Sequence, residues 1–273
     1  MLAGASSIAL GFFFFAFVFV GFSIYFALVW QIGARRTIAN QEIAGPPPKM
    51  FGLPEAGVAC LVTAFFLWMI IKSASGPRSQ VTTSVVVAGE LLFVTIVLIV
   101  LAFLNIRGFD IDALAGFSKS SLRRALSTGI VLLLAAWPLI GIADWITQNA
   151  LSGGSSKQEI VDLFNSSRTI GQRVLIIVLA VVVAPISEEF IFRFFIYGVF
   201  RRYFGIGVGL VFNSLLFAAA HAHLPSAAPL FVLGVCFTLA YEWSRSILVS
   251  MSMHALFNSV QLILLAFPEL FQQ

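Results

Sequence analysis

Two adjacent glutamates, Glu188 and Glu189, stand inside an apolar run long enough to cross a bilayer. They lie in Ala184-Pro185-Ile186-Ser187-Glu188-Glu189-Phe190-Ile191-Phe192-Arg193. An ionisable side chain at the bilayer centre costs about 2.5–3.5 kcal/mol on insertion scales, so such groups usually face a bundle interior and serve a function. The other intramembrane polar groups that could do chemistry are His221, at the end of Phe217-Ala218-Ala219-Ala220-His221, and His254 with Asn258 in Ser252-Met253-His254-Ala255-Leu256-Phe257-Asn258. His223 follows in the turn before Pro225, and all 3 histidines of the chain fall in its last third.

Helical spacing assigns these residues different tasks. Glu189 and Arg193 are four apart, share a face and can form an ion pair that lowers the burial cost of both. Glu188 is rotated by about 100° from Glu189 and remains free for chemistry. Pro185 removes a backbone donor and can kink or open the helix just before the acids. His254 and Asn258 are again four apart and aim at a common point. A carboxylate with an imidazole can hold and deprotonate a water; an imidazole with a carboxamide can stabilise an oxyanion. Those parts suffice for hydrolysis of an amide. Any one of them alone would more often be interhelical hydrogen-bond glue.

The same residues leave a metal alternative open. Glu188, His221 and His254 could form a His₂Glu zinc site with one open position. No H-E-x-x-H sequence occurs, which excludes the usual zincin helix. With Glu188 as a ligand, Glu189 would have to act as the base, yet it is the residue best placed to pair with Arg193. The spacing therefore favours a metal-independent site.

The elements that must position these groups are membrane helices. Apolar and aromatic residues make up 60% of the 273 residues and charged ones only 10%, against about 25% charged in a soluble domain. The mean hydropathy is +1.01. Apolar runs at about 8–30, 55–72, 84–105, 125–147, 170–198, 205–221, 227–243 and 246–267 predict an all-α bundle of about eight transmembrane helices, a multi-pass integral membrane protein. No basic n-region precedes the first run, which is too long for a signal-peptide core and reads as a retained span. One integral domain is expected: helices over 1–147, a loop over 148–169, and helices over 170–273 that carry the site. The loop holds a short amphipathic segment, Lys157 to Phe164, readable as an interfacial helix or as a substrate-guiding lid. Cys60 and Cys236 both sit in apolar runs and read as small buried hydrophobes without a disulfide.

Net charge is +4, but the basic residues gather at helix ends, which points to membrane anchoring rather than nucleic acid. Lys and Arg number ten in the odd loops (Arg35, Arg36, Lys49; Arg107, Lys119, Arg123, Arg124; Arg201, Arg202; Arg245) and five in the even ones (Lys72, Arg78, Lys157, Arg168, Arg173). Positive-inside bias then puts the odd loops in the cytoplasm and His221 toward the outer side.

The series Glu188-Glu189-x-x-x-Arg193, Phe217-x-x-x-His221 and His254-x-x-x-Asn258 resembles the motifs of the CAAX protease and bacteriocin-processing family, the type II CAAX prenyl endopeptidase-like intramembrane glutamic peptidases. The resemblance covers roughly 170–262; the N-terminal half carries no signature of it. It implies a multi-pass intramembrane endopeptidase of a bacterial or archaeal plasma membrane, with a cavity facing the cytosol. Glu188 would be the general base and His221 its partner on the water. His254 and Asn258 would form the oxyanion site, with Glu189 and Arg193 in support. No cofactor is implied, zinc being the alternative. The partners would be the bilayer and a membrane-associated peptide or protein substrate, prenylated in eukaryotic relatives, with no nucleic acid.

Two other classes compete. A catalytically silent scaffold or immunity protein would act by binding. A transporter would use Glu188 and the histidines as a proton relay, but repeated halves with broken helices would then be expected. Here the polar groups crowd into one half.

Overall fold

A computed structural model of the chain describes residues 2–39, 49–75, 82–150, 163–164, 167 and 169–267. Those residues are mainly helical and include no strand. The helices are α1 (Leu2–Ala39), α2 (Leu53–Ser75), α3 (Thr83–Ile106), the short α4 (Ile111–Ala115) and α5 (Leu122–Ala150). A continuous helical stretch Ile170–Ala220 follows, then α8 (Ala227–Ser244) and α9 (Ile247–Ala266). Seven stretches of the described residues are long and apolar enough to cross a membrane, and the chain is a multi-pass integral membrane protein.

The 51 residues of Ile170–Ala220 would span about 75 Å if straight, more than twice a hydrocarbon core of about 30 Å. The chain folds back instead at Gly205, whose φ of 80° and ψ of 174° are open to glycine and to almost nothing else. We call the two arms α6 (170–204) and α7 (206–220). They touch immediately beyond the reversal: Phe200 stacks on Phe212 with ring centroids 4.0 Å apart, and a Cβ on Gly209 would lie 3.0 Å from Arg201 N. Split by this reversal, the seven candidate spans among the described residues become eight helical segments, the number that the apolar runs predict.

Packing follows membrane rules. α5 lies against α1, α8 and α9, and α8 lies against α7. Small residues allow the closest approaches, as where a Cβ on Gly234 would meet Ser214 Cα at 3.2 Å. Phenylalanines sort by position: Phe12, Phe15 and Phe19 of α1 point outward, while Phe192, Phe194, Phe195, Phe217 and Phe237 are buried around the acidic stretch of α6.

Two expectations need adjustment, and a third lies mostly outside the described residues. α1 runs to Ala39, well past the apolar run that ends near 30, because a helix once formed satisfies its own backbone in polar surroundings too. Cys60 faces outward rather than inward; Cys236 is buried, and both thiols are free. Most of the amphipathic segment 157–164 lies outside the described residues; its last two, Leu163 and Phe164, are buried against Ile176 and Leu262.

Candidate active site

Glu188 and Glu189 occupy the short α-helical turn Ala184–Glu189, held between two π-helical stretches, Leu179–Val183 and Phe190–Ile196. Widened turns of this kind occur frequently at functional sites. Here Pro185 supplies a local cause. The Ala184 N–H reaches five residues back to Leu179 O, and the next donor in that register would be the nitrogen of Pro185, which carries no hydrogen. The carbonyl left over is that of Ala180. Asn258 Nδ2 donates to it at 2.7 Å. Ser187 Oγ lies 2.9 Å from Val183 O and 3.2 Å from Ala184 O, tightening the same turn.

Asn258 therefore braces the broken helix from α9, with one of its two amide hydrogens engaged and the other left over. Replacing it with alanine would strand a carbonyl in the bundle interior at a cost of about 1–3 kcal/mol. Asn258→Ala is expected to melt measurably lower in detergent than the parent. An unchanged midpoint would show that Ala180 O finds another donor.

His254 reaches both acids from the neighbouring helix. Its Nδ1 lies 3.0 Å from Glu189 Oε1 and its Nε2 lies 3.9 Å from Glu188 Oε2. A carboxylate only accepts, so Nδ1 carries the hydrogen and Nε2 is left to face Glu188. The ring stacks on Phe237 at 5.1 Å and meets the edge of Phe217 at 5.9 Å, which fixes its plane. Glu189 Oε1 also lies 3.0 Å from Arg193 Nη1, with both side chains fully buried. Arg193 makes this contact as a charge rather than as an aligned hydrogen bond. Its guanidinium rests over the rings of Phe217 at 4.1 Å and Phe237 at 5.2 Å.

His221 ends α7, where Ala222 turns the chain with a positive φ of 49°. Its Nδ1 lies 2.8 Å from Phe217 O, and a carbonyl can only accept, so the basic lone pair of the neutral ring sits on Nε2. The His221 ring also packs on Phe217 at 4.7 Å. Phe217 thus touches His221, His254 and Arg193 at once. His223 is bonded through Nδ1 to Ser226 Oγ at 2.7 Å.

Glu90 escaped the sequence reading. It is the lone acid of α3, a helix packed against the Glu188 turn, and its Oε2 is buried without a hydrogen-bond partner among the described residues. The desolvation argument that singles out Glu188 applies equally to Glu90. Glu55 and Glu242 are also buried, but each has a cation: Glu55 accepts from Arg107 Nε at 2.9 Å, and Glu242 lies 3.1 Å from Arg201 Nη2. The expectation that the polar groups crowd into one half is therefore corrected. Two of these acids come from the N-terminal half, and one of them faces the site.

For zinc, Glu188, His221 and His254 would have to converge. Among the described residues no group of three His, Cys, Asp or Glu side chains is arranged to hold a metal ion.

Residues 170–260 match the family described as type II CAAX prenyl endopeptidase Rce1-like. The match covers the stretch that the three motifs mark. The chain is also 31% identical over 83 residues to the membrane-embedded CAAX protease MroQ of Staphylococcus aureus (strain USA300). That alignment takes in 28% of this chain and 34% of the relative, so about a third of either protein is compared. No solved structure matches significantly.

Proposed function

We propose that the chain is a membrane-embedded endopeptidase that hydrolyses a peptide bond of a membrane-associated substrate without a metal. The observation that carries this reading is His254 set between two carboxylates, bonded to Glu189 at 3.0 Å and facing Glu188 at 3.9 Å. Glu188 takes a proton from water and the oxygen attacks the carbonyl carbon. As the carbonyl double bond opens, charge gathers on its oxygen. We assign His221 to the water from the motif resemblance; its Nε2 lone pair is not engaged by the Phe217 bond. His254 donates to the oxyanion as an imidazolium, for which Glu189 supplies compensating charge, and the second hydrogen of the Asn258 amide joins it. When the intermediate collapses and the C–N bond breaks, the proton held by Glu188 passes to the leaving nitrogen.

Purified protein offered a fluorogenic peptide library is expected to cleave at an equal rate with and without a strong chelator. Activity lost to chelator and restored by added zinc would establish the metal reading. No cleavage under any condition would favour the binding scaffold.

A further inference from the structure

The membrane face at the Gly205 end of the α6–α7 hairpin carries a second, differently built feature. A cavity of about 550 Å³ opens there, its charged wall formed by Lys49, Asp110, Arg201, Arg202 and Arg245. Lys49, Asp110 and Arg245 come from the connections α1–α2, α3–α4 and α8–α9, and Arg201 and Arg202 from the last turn of α6; the fold gathers them at one end. Phe51, Phe109, Phe194 and Tyr197 line its depth. The wall holds four cations and one acid.

Local partners account for part of that charge. Arg201 pairs with Glu242 at 3.1 Å, and Glu242 also accepts from the Tyr197 hydroxyl at 3.0 Å. Asp110 caps α4, accepting from Ala113 N at 3.0 Å. Lys49 donates to the Arg107 carbonyl and sits 4.7 Å over the Phe109 ring. Arg202 and Arg245 are exposed and have no ion pair with a carboxylate among the described residues. Arg245 stands in the left-handed region, φ 57°, at the end of α8, where glycine is the relaxed choice. Its backbone is locked there: a Cβ on Gly116 would lie 1.8 Å from Arg245 O. Arginines that merely anchor helix ends reach outward to the headgroup layer; these two border a concave, aromatic-floored site.

We propose that this cavity binds a phosphate group, that of an anionic phospholipid in the adjoining leaflet, with Arg202 and Arg245 as the clamp. Guanidinium forks match phosphate oxygens in pairs, and basic pockets between membrane helices on the positive side suit lipid headgroups. Met50, which lines the cavity, and Leu53 and Ile106, at the adjoining ends of α2 and α3, are exposed apolar side chains against which acyl chains can lie. The site is independent of the acidic cluster in α6, and its test needs no catalysis.

Full-length protein in a non-ionic detergent would be titrated with phosphatidylglycerol, phosphatidylcholine and inorganic phosphate, reading binding by native mass spectrometry. Phosphatidylglycerol is expected to bind at least tenfold more tightly than phosphatidylcholine. The Arg202→Gln/Arg245→Gln variant is expected to lose roughly tenfold or more of that affinity while melting like the parent without lipid. Arg202→Gln alone, at an exposed side chain, provides the reading if the double variant does not fold. Inorganic phosphate binding as tightly as the lipid would keep the clamp and move its source to solution. Equal binding of the two lipids, or undiminished binding by the folded variants, would overturn the proposal.

Discussion

Glu188→Gln is expected to remove peptide cleavage, by a factor of at least 10²–10⁴, the usual contribution of a general base, and to leave the fold intact. The carboxamide keeps the shape of the side chain but cannot accept a proton from water. Structure argues against a folding defect. Glu188 Oε2 has no hydrogen-bond partner among the described residues, and its nearest charged contact, His254 Nε2, stands off at 3.9 Å. The substitution also removes the cost of burying a charge, so the melting midpoint should hold or rise. Side-by-side cleavage assays and thermal melts in detergent would test both halves. A fully active Glu188→Gln protein would remove the residue from the chemistry.

How much of this was legible in the sequence depends on the range of the interaction concerned. Helix spacing within α6 places Glu189 beside Arg193, and within α9 it places His254 and Asn258 on one face; the structure sets these pairs so, because i,i+4 geometry is local. The reversal between α6 and α7 was legible as a polar break at Arg201-Arg202 followed by Gly205, where no single helix could fit a bilayer. Contacts between helices were not. Glu90 is one acid in an apolar run, and only the packing of α3 against α6 reveals that it faces Glu188. The bond from Asn258 to Ala180 depends on the widened turn before Pro185, a backbone register that side-chain patterns do not encode. The basic cavity needs three connections and the end of α6, all distant in sequence, to meet at one membrane face.

Glu189→Gln should instead destabilise the bundle, by about 3–5 kcal/mol, the range found when one partner of a buried ion pair is removed. Glu189 and Arg193 are both wholly buried, so water cannot take over the role of the lost charge. The new carboxamide oxygen can still accept from His254 Nδ1, which separates loss of charge from loss of shape. The faces of Phe217 and Phe237 continue to hold the guanidinium, at 4.1 and 5.2 Å, yet ring quadrupoles contribute only about 2 kcal/mol even when desolvated. A fall in the melting midpoint on the order of 10 °C is therefore expected. The paired change Glu189→Gln/Arg193→Met removes the stranded cation with it, and buried ion pairs replaced by apolar groups of similar volume are often tolerated. That variant should recover most of the lost stability but not cleavage, since His254 would lack the carboxylate that compensates its imidazolium. A single variant as stable as the parent, or a double variant no more stable than the single one, would show that Glu189 does not hold Arg193 in place by its charge.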